Sequence, residues 1–243
     1  MTPVDRIAHL NRWRHKSLVE KSVFCLGMLA ITLTLPPLKA GPLVIAATLI
    51  ATLWAARVPA QSWLVLAMAP LGFLLAGLIP VVMVFDHGYP ALAPGGPETA
   101  LVLMVRSFAA LSCLLALALT TPATDLTAGL RRLGVPAELT DIALLMLRFI
   151  FLLADTAKAM DAAQAARLGH QGLFRRIRSA GLVAGNLLPR AMDRARRMEA
   201  GLAARGWTGE MRVLRTPTPI SPRGLTTILA LEAAIILLAG GLG

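Results

Sequence analysis

The sequence predicts an all-α integral membrane protein, with about five transmembrane helices and a helical insert on the cytoplasmic side. Three observations carry that prediction. Hydrophobic residues make up 56% of the 243, and the mean hydropathy is +0.69, a composition typical of membrane chains. The apolar residues fall in long runs separated by joints bearing proline, glycine or arginine. The net charge of +11 lies mostly in segments that flank or separate those runs, where it sets topology; nucleic-acid binding is therefore not required to explain it.

Residues 1–21 form a polar, basic amino-terminal segment with Arg6, Arg12, Arg14, Lys16 and Lys21 and no convincing signal-cleavage site. Trp13 sits where an interfacial aromatic would anchor. Residues 22–120 hold four apolar spans. The first, 22–35, ends at Pro36 and Pro37, and the second runs from 42 to 56; both are short against the ~20 residues a bilayer needs, and they suit a tight hairpin. The third, 62–85, carries Pro70 and Pro80, which predict kinks. The fourth is 99–120. Between the last two lies a segment with Tyr89, Pro90, Pro94, Gly95, Gly96 and Pro97 but no lysine or arginine, which reads as a turn-rich external loop. A final span, 225–242 within the 223–243 terminal segment, follows a joint at Pro217, Pro219 and Pro222.

Basic residues favour the cytoplasmic side. Arg57 lies between spans two and three, and a cluster from Arg131 to Arg223 lies between spans four and five, whereas the external segments carry only Lys39. The amino terminus and the 121–222 insert are thereby expected in the cytoplasm. Within the insert, Thr124 reads as an N-cap before a short amphipathic helix with Leu126, Leu130 and Leu133, broken at Gly134 and Pro136. Residues 137–151 are apolar enough for their start to be embedded, but a crossing there would reverse the charge logic of the terminal span and is disfavoured.

The insert contains one helical pattern twice. Residues 155–167 and 193–205 share Asp, Ala, Met, three further alanines and Arg at equal steps, with a base at the fourth step (Lys158, Arg196) and an acid at the seventh (Asp161, Glu199). At helical spacing the first copy presents Ile150, Leu153, Ala157, Met160, Gln164 and Arg167 on one face, the second Leu188, Ala191, Ala195, Met198, Leu202 and Arg205. Each apolar stripe ends in an arginine followed closely by a glycine, Gly169 or Gly206, as at a helix C-terminus. A lone terminal arginine would be ordinary dipole complementation; the same phase twice points to two parallel levers, each offering a guanidinium to an acidic groove on another molecule.

Arg106 and Glu232 fall inside predicted spans, where a charge needs a partner; they are a candidate intramembrane pair, with snorkelling of Arg106 the alternative. Cys25 and Cys113 read as buried small hydrophobes, the four histidines are scattered, and neither a metal-ligand spacing nor a phosphate-binding Gly-rich loop nor a nucleophile–base arrangement is present. Neither a catalytic nor a metal site is predicted.

Over nearly its whole length the chain resembles the transmembrane T component of energy-coupling-factor (ECF) transporters, of the CbiQ type associated with cobalt uptake. The resemblance rests on Asp5-Arg6 through Asn11-Arg12-Trp13, on Arg106, on Thr120-Thr121-Pro122, on Asp125-Leu126 with Leu130-Arg131-Arg132-Leu133, and on Leu147-Arg148-Phe149. Above all it rests on two Ala-Arg-Gly-type motifs. Ala204-Arg205-Gly206, followed by Trp207 and Gly209, matches intact; Ala166-Arg167 is followed by Leu168 where glycine is expected, with Gly169 one place later. The resemblance implies two long coupling helices docked on a pair of ABC-type ATPase subunits. It also implies a substrate-binding S component of CbiM type and a small CbiN-type subunit, in a bacterial or archaeal plasma membrane. ATP and Mg would be bound by the ATPases, and no cofactor by this chain. Small residues Ala157, Ala162 and Ala195 would let the two helices approach closely. Two rival readings make different demands: a lipid-headgroup enzyme needs clustered acids or a nucleophile, and a self-contained secondary transporter needs its repeats in the membrane.

Overall fold

A computed structural model describes residues 3–86, 89–206 and 221–241; His87, Trp207, Gly209, Pro217 and Pro219 lie outside them. The described residues divide into two compact units, one of 3–122 with 221–241 and one of 123–206.

The larger unit is a helical bundle. A short α1 (Pro3–Leu10) and one 3-10 turn (Arg12–His15) lead into α2 (Leu18–Thr34). Pro36 caps α3 (Pro37–Leu49), which continues as a π-wound segment (Ile50–Ala55). Next come α4 (Ala60–Val82), α5 (Gly96–Thr120) and, after the second unit, α9 (Pro222–Gly240). Among the described residues four helices, at Pro37–Ala55, Ala60–Val82, Gly96–Thr120 and Pro222–Gly240, are long and apolar enough to cross a membrane, and this is an all-α membrane protein in which α2, at 17 residues, lies in the bundle beside them. α4 runs through both Pro70 and Pro80. The predicted loop after it is partly ordered instead: β1 (Met83–Asp86) and β2 (Tyr89–Leu92) pair antiparallel, Met83 opposite Leu92. The pairing gives backbone groups beyond the helix end the partners they would otherwise lack.

The core lies where α5 packs on α2, α3 and α4. Met28, Val44, Ala109 and Cys113 interlock there, while Trp63 meets Phe108 edge to face at 6.2 Å in a second cluster. Hydroxyls in this core return their protons to the preceding helical turn, as Thr48 does to Val44 O at 2.8 Å, and Thr48 and Ser112 join α3 to α5 at 2.9 Å.

Several helix ends of this unit meet at one rim. The carboxyl end of α5 leaves carbonyls without helical partners; Asn11 Nδ2 donates to Leu119 O at 3.0 Å and Lys21 Nζ to Thr120 O at 3.0 Å. A cation at a helix C-terminus is also favoured by the dipole. Glu20, its neighbour, accepts from Ser221 N–H at 2.7 Å and so serves the amino end of α9. Arg12 N–H donates to Ala56 O, just beyond the π-wound segment. Thus α2 and α9 begin at the rim where α3 and α5 end.

The smaller unit holds α6 (Ala123–Arg132), α7 (Ala137–Ala166) and α8 (Leu173–Ala203). Thr124, expected as a cap, lies inside α6, its hydroxyl 3.3 Å from the Asp125 carboxylate; the break at Gly134 comes with φ +89. Residues 137–151, ambiguous by hydropathy alone, are the first half of α7, a 30-residue helix that is not among those apolar and uncharged enough to be candidate spans.

Candidate functional site

The repeated pattern falls on α7 and α8, which pack together as an antiparallel hairpin: Arg148–Asp155 positions of α7 share a groove with Arg194–Arg205 positions of α8, and the turn between the helices lies at the other end. The stripes predicted from spacing are largely the contact faces. Leu153, Ala157, Met160 and Gln164 on α7 are half-buried, as are Ala191, Met198 and Leu202 on α8, while Arg167 and Arg205 are exposed.

Each helix ends in the same turn. In the first copy Leu168 N–H donates to Ala165 O at 3.0 Å and Gly169 N–H to Gln164 O at 2.9 Å, a complete Schellman closure. The residue in the left-handed region is Leu168, at φ +60, not a glycine. In the second copy Gly206 holds φ +68, and its N–H donates to Ala203 O at 3.0 Å. Arg167 and Arg205 both donate their N–H three residues back, to Gln164 O and Leu202 O, each at 3.1 Å. The two arginines thus occupy equivalent places, immediately before the left-handed residue. Ala166 and Ala204 precede them on the last helical turn.

Gly169 has a different task from the one its spacing predicted. Its carbonyl accepts from the buried Ser179 hydroxyl at 3.1 Å, and a β-carbon on it would meet Ser179 Oγ at 2.5 Å and Gln164 O at 2.8 Å. It lets the turn lie flat against α8. His170 Nε2 lies 3.0 Å from Asp161 Oδ1 across the same turn.

Because Arg167 precedes α8 and Arg205 follows it, they are separated by about 45 Å, the span of this 31-residue helix at 1.5 Å per residue. Arg205 opens on a groove of about 560 Å³ that also presents Arg148, Arg194 and Arg197, with Asp155 as the acid in its wall. Four guanidinium groups around one carboxylate make a positive cleft that attracts an acidic surface.

The candidate pair Arg106 and Glu232 is not brought together. Arg106 Nε and Glu232 Oε1 are each buried without a hydrogen-bond partner among the described residues. The reason is packing: α9 lies mainly on α2 and α3, and the Glu232 carboxylate occupies the space that a β-carbon at Gly27 would fill. Among the described residues no three His, Cys, Asp or Glu side chains gather as metal ligands. Sequence reading missed the buried pair Glu20 and Lys21, 4% and 2% exposed; the signal was adjacency, two opposite charges at the start of an apolar run.

The sequence matches a family described as cobalt transport protein, CbiQ, over residues 10–215. The chain belongs to the CbiQ family of cobalt transport proteins. It is 51% identical over 233 residues, 96% of either chain, to the cobalt transport protein CbiQ of Rhodobacter capsulatus. Identity to CbiQ of Salmonella typhimurium is 32% over 224 residues, 86% of this chain and 99% of that one. A putative fused cobalt transport protein, CbiMQ, from Methanocorpusculum labreanum matches 94% of this chain at 26% identity, over 41% of its own length. Membership of the CbiQ family and the apolar helices together make this a multi-pass membrane protein with a role in transport.

Proposed function

We propose that this chain is the transmembrane coupling subunit of an ATP-driven, ECF-type importer of cobalt or nickel. The observation that carries the reading is the repetition of one arginine-bearing turn at opposite ends of a single hairpin. Two exposed guanidinium groups held about 45 Å apart by a continuous helix suit two separate acidic grooves, one on each of two ABC-type ATPase subunits. Arginine fits this task because its planar fork grips a carboxylate or a pair of carbonyls and stays charged when partly desolvated. ATP and Mg belong to those subunits; this chain catalyses nothing. When nucleotide binding changes the separation of the ATPases, the ends of the hairpin follow, and the movement passes to residues 22–120 and 223–243 in the membrane.

The ion is carried by a CbiM-type S component, a pairing supported by the relative named a putative fused cobalt transport protein CbiMQ, and a small CbiN-type subunit completes the complex. The bundle rim gathers Arg12, Arg14, Lys16, Lys21 and Arg57, which supports a cytoplasmic amino terminus and a cytoplasmic 121–222 region. Purification of the tagged chain from membranes containing its partners tests the reading. Wild type is expected to retain both ATPases and the S component, whereas the double variant Arg167→Glu, Arg205→Glu loses the ATPases and ATP-driven cobalt uptake. Normal uptake by the double variant overturns the assignment.

A further inference from the structure

A second feature of the bundle is independent of ATPase coupling. Between α2, the end of α3 and α9 lies a crevice of about 340 Å³ that opens at the rim, a volume within the range of ligand sites. One wall is built of small side chains one helical turn apart, Ala47, Ala51 and Ala55, and the opposite wall carries Ile228 and Leu231. This is a narrow apolar slot.

Its mouth is charged. Lys16 is exposed, its ammonium 4.7 Å from the centroid of the Trp13 ring. Lys21 lines the same space, 2% exposed, with one hydrogen bond among the described residues, to Thr120 O at 3.0 Å, out of the three donors an ammonium carries. Glu20 also lines it and is engaged with Ser221 N–H at 2.7 Å. Two ammonium groups and one carboxylate leave a single net positive charge at the end of an apolar slot.

We propose that this crevice binds one anionic glycerophospholipid, its phosphodiester on Lys16 and Lys21 and an acyl chain along the alanine wall. A phosphodiester lipid whose headgroup is otherwise neutral carries one negative charge, which matches the mouth. A zwitterionic lipid brings a cation toward two ammonium groups, and free phosphate leaves the slot unfilled. Basic pockets between membrane helices are where acidic headgroups settle, and Trp13 marks the interfacial depth. A lipid seated there ties the end of α3 to the starts of α2 and α9.

Native mass spectrometry of the full chain, purified into mixed micelles with equal phosphatidylglycerol and phosphatidylcholine, tests the site. Wild type is expected to retain one phosphatidylglycerol in preference. Lys16→Gln removes an exposed charge and lowers that retention about fivefold; Ala55→Phe, at an exposed position in the slot, lowers it at least as much. Millimolar inorganic phosphate leaves retention unchanged. Equal retention of the two lipids by wild type overturns the proposal even if a variant fails to fold. It is equally overturned by phosphatidylglycerol retention that survives both substitutions, or by displacement with phosphate, which would mark a site for the anion alone.

Discussion

The turn after Arg167 and the turn after Arg205 have closely similar backbones built from different residues. Both bring the chain into the left-handed region immediately after an arginine, at φ +60 and φ +68, and both return amide protons to the last carbonyls of the helix. Only the second uses glycine. At Gly206 a β-carbon would meet nothing within 4 Å among the described residues, whereas at Gly169 the space is filled by Ser179 and Gln164 O. The first turn is therefore fastened to α8 by side-chain and backbone contacts that sustain an unfavourable φ at Leu168, and the second holds its shape through glycine's own freedom. Hydrogen-bond closure, not the identity of one residue, is what the two copies share.

If the arginines are equivalent levers, reversing either should do equal harm. Arg167→Glu and Arg205→Glu, made singly, are each expected to weaken ATPase retention at least ~30-fold, since loss of a desolvated charged anchor costs ~2–5 kcal/mol. Quantitative pull-down against ATPase concentration measures it. A loss confined to Arg205 would break the comparison and assign docking to the four-arginine groove alone.

A smaller effect separates the ways the turns are held. Gly169→Ala forces a β-carbon against Ser179 Oγ and Gln164 O, and is expected to cost about 1–3 kcal/mol, in the range of overpacked sites. Removing only the hydrogen bond with Ser179→Ala should cost about 1 kcal/mol. Hydrogen exchange at the Leu168 and Gly169 amides reads both, with the Gly206 amide unaffected; equal changes at the two turns would mean that the hairpin opens as one unit.

How much of this was legible in the sequence follows from which forces leave a periodic trace. Hydropathy marked the long apolar helices because such runs are written directly in the sequence, and the repeated stripe marked much of the face on which α7 and α8 meet because both copies half-bury it. Neither signal reports a local backbone choice. The β1–β2 pairing involves four residues per strand, including Pro90, too few to show alternation. The π-wound end of α3 keeps helical composition. Leu168 gives no sign of its left-handed φ, because Gly169, the residue that looks like the cap, instead supplies clearance. Long-range polar contacts are equally silent: Glu20 and Lys21 read as part of a solvated basic segment, while the partners that make their burial tolerable, Ser221 and Thr120, are 201 and 99 residues away. Arg106 and Glu232 show the converse, for two charges in neighbouring spans invite pairing until helix packing places α9 on α2 and α3.

The smallest predicted effect tests the comparison most directly. A non-glycine residue in the left-handed region costs about 1–2 kcal/mol, but glycine gives back about 0.4–1 kcal/mol by loosening the unfolded chain. Leu168 is 57% exposed, so its truncation forfeits little buried area. Leu168→Gly should therefore stabilise the first turn by about 0.5 kcal/mol, and Gly206→Leu should destabilise the second by a similar amount, since among the described residues nothing lies within 4 Å of a β-carbon there. In hydrogen exchange this is roughly a twofold slowing at Gly169 and a twofold quickening at the Gly206-position amide. Opposite signs of similar size would establish that both turns answer to the same backbone constraint. No slowing at Gly169 would mean that Ser179 alone dictates the first turn, and that the arginine before it is positioned by α8 rather than by the end of its own helix.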